Sequence, residues 1–212
     1  MTDILKNYRT IEGDKQSEFE EEKSKFITNA RFVESEEEAI DFIEEIREIH
    51  KQATHNCYAY IINELPEIKR YSDDGEPQGS AGLPMLSVLE KENVRNVAVV
   101  VTRYFGGKLL GKGGLVRAYS RGVADTISPN VVCKREYFVV ELIHSYTVLG
   151  LIENYINEND FLVIDKDFTD EVKIKIYVRV DEFEKFEKDL INLTSANIAI
   201  NNIKSVMLFE EN

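Results

Sequence analysis

Residues 94–114, VRNVAVVVTRYFGGKLLGKGG, decide the reading of the N-terminal half. The run VAVVV is apolar at odd and even positions alike. A strand of that kind is covered on both faces, which predicts a central strand over Val94–Phe105. A glycine-rich loop, Gly106–Gly114, follows, and Leu115–Ile127 reads as a helix. Free backbone amides at a helix start point outward and carry partial positive charge. Glycines let a ligand approach them, and Lys108 and Lys112 add full charges. On physical grounds this is an anion site. Its candidate residues are Arg103, Tyr104, Phe105, Gly106, Gly107, Lys108, Gly111, Lys112, Gly113 and Gly114, with Arg117 and Arg121 on the helix. Tyr104 and Phe105 are available for stacking on bases. The plainer reading, that the glycines only shape a tight turn, stays beside it.

Charge sharpens the point. The chain of 212 residues carries a net charge of -13, which disfavours non-specific binding to a polyanion. Yet residues 93–124 hold no Asp or Glu, and six Lys or Arg. A plain solvated face normally mixes both signs. Gly106, Gly111 and Lys112 nearly match a phosphate-binding P-loop. Gly113 stands where Ser or Thr would hold Mg²⁺, and no second acidic strand end is present, so a nucleoside triphosphatase is not expected.

Two further constellations lie upstream. Residues 71–82, YSDDGEPQGSAG, contain Ser72, Asp73, Asp74 and Glu76. Oxygen ligation of a hard cation is one reading, but the spacing of a calcium loop is missing. A solvated turn, or pairing of these carboxylates with the basic window, is preferred, and no metal or other cofactor is expected. His55 and Cys57 share one face of a strand at Asn56–Ile62. A Cys–His nucleophile needs a third orienting group that cannot be identified, so packing roles come first. Together His55, Cys57, Ser72, Asp73, Asp74 and Glu76 form a second candidate ligand pocket; the alternative function is a small-molecule enzyme or phosphate-ligand sensor centred on His55, the Ser72–Pro77 loop and the Gly106–Gly114 loop. No catalytic residue is assigned, and Ser72 and Ser80 lack a nucleophile elbow.

Outward from these segments, the first ~20 residues read as a loose arm or an edge strand. Ser24–Val33 reads as a strand and Ser35 opens a helix with Glu38 at capping-box spacing. Its apolar stripe is Ala39, Ile40, Phe42, Ile43, Ile46 and Ile49. Residues 64–82 read as a long loop and Leu83–Lys91 as a short helix with Pro84 in its first turn. Pro129 and Asn130 mark a break between a first domain, 1–130, and a second, 131–212. The second reads βαββαβ, the ferredoxin-like arrangement, with helices capped by Ser145 and by Asp181 with Glu184. The fold class is therefore α+β. Nine of the eleven glycines lie between Gly75 and Gly122, so binding is expected in the first domain. From Val131 onward nine basic residues face sixteen acidic ones, which suits contact with protein or solvent.

No run of about 18 apolar residues exists, so no membrane span is expected. The polar N-terminus is unlike a signal peptide, and Cys57 and Cys133 lack paired spacing, which points to a reducing cytoplasm.

Four segments together resemble the YigZ/IMPACT family. They are Glu22–Ile27 (EKSKFI), His55–Ala59 (HNCYA), Ser72–Pro77 (SDDGEP) with Gly79, Ala81, Gly82 and Pro84, and Val101–Gly111 (VTRYFGGKLLG) with Gly113, Gly114, Leu115, Val116, Ala118 and Tyr119. The resemblance implies a first domain like the second domain of ribosomal protein S5. It implies a second domain similar to a C-terminal domain of elongation factor G. Eukaryotic relatives restrain a starvation-sensing kinase and carry an extra domain for which this length leaves no room, so that role is not carried over. What remains implied is translation regulation through RNA or the ribosome, or through a translation-related protein, with no established reaction.

Overall fold

The computed structural model describes residues 7–210. The chain forms two compact units: residues up to Lys134 together with those from Phe209 onward, and Arg135–Leu208. The expected break at 130 falls short of this division because Val131–Lys134 still pair with a strand of the first unit. The Lys134 ammonium, 2.7 Å from Glu34, also lies over the rings of Phe32 and Phe209.

In the first unit β1 (Tyr8–Ile11) pairs with the start of β7 (Val131–His144). A five-stranded antiparallel sheet follows, with the order β2-β3-β6-β4-β5. Its strands are β2 (Asp14–Glu21), β3 (Ser24–Phe32), β4 (His55–Ile62), β5 (Ile68–Ser72) and β6 (Val97–Tyr104). Helix α1 (Glu36–Ile49) covers one face, and α2 (Gly82–Lys91) and α3 (Gly111–Ile127) cover the other. The central place of β6 follows from its side chains. Val97, Val99 and Val101 join the α2/α3 core, while Ala98 and Val100 join the α1 core. All five are fully buried.

Ser35 accepts the Glu38 amide at 3.1 Å and so caps α1. The Glu38 carboxylate reaches back one residue further than the capping box requires, to the Glu34 amide at 2.7 Å. Ala39, Phe42, Ile43 and Ile46 are buried, whereas Ile40 and Ile49 are exposed at the flanks of the stripe. The segment read as an unbroken loop contains β5, a hairpin partner of β4. Its sequence, IKRYS, shows no apolar face, because an edge strand exposes most of its side chains and is held by backbone pairing. The glycine loop is also shorter than its composition suggests. Gly111–Gly114 form the first turn of α3, since packing of the rest of the helix outweighs poor intrinsic propensity there.

In the second unit β7, α4 (Leu149–Glu158), β8 (Val163–Phe168), β9 (Val172–Arg179), α5 (Phe183–Leu193) and β10 (Ile198–Glu210) follow in βαββαβ order. β10 and β9 flank β7, and β8 lies beyond β9, the strand order of a split βαβ motif. Val172, Ile174, Ile176 and Val178 alternate inward along β9, beneath Ile152 and Ile156 of α4 and Phe186 and Leu190 of α5. The predicted side-chain caps do not form. The Ser145 hydroxyl pairs with Thr147 instead, and Asp181 pairs with Arg179.

Candidate functional site

Strand register builds the site. Arg103, near the end of β6, stands opposite Phe26 of β3 on one side and His55 of β4 on the other. Val97, Val99, Val101 and Arg103 alternate onto one face of the sheet, so the charged side chain follows three valines towards α2 and α3. There it meets Glu76, from the loop between β5 and α2, at 2.7 Å. The Arg103 and Glu76 side chains are 6% and 3% exposed. Glu76 Oε1 also accepts the Tyr119 hydroxyl of α3 at 2.7 Å. Arg103 Nη2 reaches Ser24, and its guanidinium lies over the rings of Phe26 and Phe105. A buried charge pair survives desolvation only with such extra hydrogen bonds.

The three acids of the loop serve different partners. Asp73 accepts the amides of Gly79, Ala81 and Gly82 at 2.8–3.0 Å and so caps α2 from a distance. Asp74 accepts the Asn56 amide at 2.6 Å and faces Arg47 at 3.5 Å. Glu76 takes Arg103. The carboxylates diverge, so they do not form the cation loop weighed above. Ser72 accepts the Asp74 amide and tightens the turn.

His55 and Cys57 divide in role. The Cys57 thiol is fully buried and donates to the Asp73 carbonyl at 3.0 Å. Burial pushes that thiol up, aided by the Glu76, Asp74 and Asp73 carboxylates, against the lowering effect of the Tyr119 hydroxyl. Such a thiol is inert as a nucleophile. Burial likewise raises the Tyr119 hydroxyl. His55 reaches an open cleft, with Nδ1 2.8 Å from the Asp74 carbonyl and Nε2 3.8 Å from Glu76 Oε2.

The cleft has a volume of about 350 Å³. His55, Gly75, Glu76 and Pro77 line it together with Arg103, Phe105 and, at the entry to α3, Leu109, Leu110, Gly111 and Lys112. Two constellations remote in sequence thus meet at the end of one central strand. The start of α3 has neither a side-chain cap nor an acid in its first turn, so its amides keep their hydrogen-bonding capacity. Gly106 is demanded by close approach: a Cβ there would lie 1.8 Å from the Lys23 carbonyl oxygen. Gly107 and Gly111 take positive φ of 83° and 69°.

Other candidates lie outside the cleft lining. Lys108 pairs with Glu22, and Arg121 with Asp125 and the Phe19 ring. Tyr104 is hydrogen-bonded to His50 at 2.9 Å. Arg95 pairs with Glu67. Among the described residues, Lys112 and Arg117 are the basic side chains of this window without an acidic partner. Gly113 and Gly114 serve the first turn of α3, Gly114 packing against Leu110 and Gly113 lying near Arg117. Sequence reading missed Tyr119 as the second donor to Glu76. Tyr119 had entered only as one of the residues carrying the family resemblance, with no role attached.

A sequence model of the Impact N-terminal domain matches residues 22–127, which contain the whole cleft. A second, described as a domain of unknown function (DUF1949), matches residues 142–197. The IMPACT family member YvyE of Bacillus subtilis is 40% identical over 195 residues, covering 91% of this chain and 89% of that protein. This chain belongs to the IMPACT family. The Escherichia coli IMPACT family member YigZ is 32% identical, covering 84% of this chain and 89% of its own length. A crystal structure of a hypothetical protein, 29% identical, covers 94% of this IMPACT chain and 98% of that chain with a TM-score of 0.59. Matches to these three relatives thus span both units of the chain. No described helix of this IMPACT family member is long and apolar enough to cross a membrane.

Proposed function

We propose that this protein is a translation-linked binding module whose first unit takes a phosphate-bearing segment of RNA, free or within the ribosome. The reading rests on the cleft at the start of α3. Its uncapped amides and Lys112, with Arg117 farther along the same helix and outside the lining, offer positive charge that no acid of the described residues pairs with. Phe105, 44% exposed in the lining, offers a ring for one base. A volume near 350 Å³ suits one nucleotide unit rather than a duplex. Because most other cations of the window are paired, the net charge of -13 leaves little attraction elsewhere. The expected likeness of the first unit to the second domain of ribosomal protein S5, and of the second to a domain of elongation factor G, supports a ribosomal setting. The family resemblance supports the translation link.

The test is equilibrium binding of single-stranded RNA, transfer RNA and intact ribosomes across a salt series. Each phosphate neutralised contributes a slope of about -0.7 in log K against log salt for a single strand. Two contacts give about -1.4. Lys112→Glu with Arg117→Glu abolishes binding and removes that slope. Unchanged binding by the double variant refutes the site. A second reading, a free phosphate-bearing small molecule, is favoured by the single-nucleotide volume of the cleft, and competition by mononucleotides separates the two.

A further inference from the structure

The cleft lining presents two hydrogen-bond acceptors that the described residues leave unserved. Glu76 Oε1 takes both strong donors, Arg103 and Tyr119, at 2.7 Å each. Glu76 Oε2 receives no hydrogen bond from the described residues, although its side chain is only 3% exposed. His55 Nε2 lies 3.8 Å from that oxygen, beyond hydrogen-bond reach. The tautomer of His55 follows from its other nitrogen. Nδ1 stands 2.8 Å from the Asp74 carbonyl, which only accepts, so Nδ1 carries the proton. In the neutral ring Nε2 then holds a lone pair. Both residues line the cleft, where a ligand can reach these acceptors.

The chemistry of that ligand is narrow. A phosphate or carboxylate has no hydrogen to give, so the anionic end of a ligand belongs at Lys112 and the α3 amides, which line the same cleft. A single hydroxyl has one hydrogen and serves one acceptor. Two acceptors 3.8 Å apart match two adjacent hydroxyls on one rigid ring. Acidic side chains commonly read ribose hydroxyls in this way. A ribose with free 2′ and 3′ hydroxyls, one phosphate away from a stacked base, has both ends of this pattern.

We infer that His55 and Glu76 form a diol-reading pair, and that the cleft takes the 3′-terminal nucleotide of an RNA chain. The inference rests on the RNA reading above and names the part of the RNA that is read. His55 Nε2 accepts one hydroxyl, Glu76 Oε2 accepts the other, the 5′-phosphate of that nucleotide meets Lys112, and the base lies on Phe105.

The experiment measures binding of 5′-labelled 12-nucleotide single strands to the full chain. One strand ends in an intact ribose, one in a 2′-deoxy nucleotide and one in a 3′-phosphate. Adenosine 5′-monophosphate and its 2′-deoxy analogue form a separate pair of arms. The expected result is a loss of about tenfold or more for both modified strands, the scale of one hydrogen bond to a charged acceptor. His55→Ala, which leaves the Arg103–Glu76–Tyr119 contacts in place, abolishes discrimination against one of the two modified strands, the one lacking the hydroxyl that His55 reads, and leaves discrimination against the one lacking the hydroxyl read by Glu76. Equal binding of the three strands by the wild-type protein overturns the diol pair while leaving the RNA reading intact. Undiminished discrimination in His55→Ala also overturns it. Failure of every strand to bind at low salt overturns the RNA reading. In that case preference for the ribo over the deoxy mononucleotide keeps the diol pair with a free nucleotide as its ligand, and no preference removes it.

Discussion

Glu76→Gln tests how the cleft is held. The side chain keeps its shape and an acceptor oxygen for Tyr119, but loses its charge. Arg103 is then a buried cation with no counter-charge. Its side chain is 6% exposed and that of Glu76 is 3% exposed, so solvent screening does not soften the loss. Removing one partner from a buried ion pair costs about 3–5 kcal/mol. The retained hydrogen bonds place Glu76→Gln at the lower end, about 3 kcal/mol. For a domain of this size that corresponds to a fall in melting temperature on the order of 10 °C. Scanning calorimetry of the full chain is the assay, because two units give two transitions and a single fitted midpoint would mislead. The transition of the first unit drops while that of the second stays. Replacing both partners by apolar residues, Glu76→Leu with Arg103→Met, costs less than the single change, since no unpaired charge remains. A single variant that loses under about 1 kcal/mol would refute the reasoning, as would a double variant no more stable than the single one.

Other outcomes follow from separate contacts. Gly106→Ala forces a Cβ within 1.8 Å of the Lys23 carbonyl, and chemical denaturation should show a loss of about 1–3 kcal/mol from overpacking of backbone against backbone. Asp73→Ala frees three amides at the start of α2; a loss of about 1–3 kcal/mol is expected, whereas Asp73→Asn recovers part of it. The buried Cys57 thiol, pushed up by its surroundings, should react with a disulfide reagent at mildly alkaline pH only as fast as the native protein opens. In a Cys133→Ser background, rapid stoichiometric labelling of the native protein contradicts this.

Much of this architecture was legible because burial and periodicity act locally. The valine run of β6 needed cover on both faces and lies in the middle of the sheet. Alternation along β9 and the stripe of α1 followed the same rule, with Ile40 and Ile49 lost to solvent at its edges. β5 was not legible, because backbone pairing to a neighbour leaves no trace in side-chain polarity. The caps at Ser145 and Asp181 had the right spacing, but local partners took those side chains.

The candidate site divides along the same line. Residue types alone marked the glycine loop and the basic window, because flexible backbone and uncompensated charge are properties of composition. Which charges remain available is a matter of distance across the fold. Arg103 became a buried structural cation because β6 directs it towards Glu76, 27 residues away in sequence. Lys112 and Arg117 stay available because no acid of the described residues pairs with them. The facing of His55 and Glu76 depends on strand register and on one loop. Coulomb and hydrogen-bond energies vary over ångströms, and chain order does not encode separations at that scale until the sheet has closed.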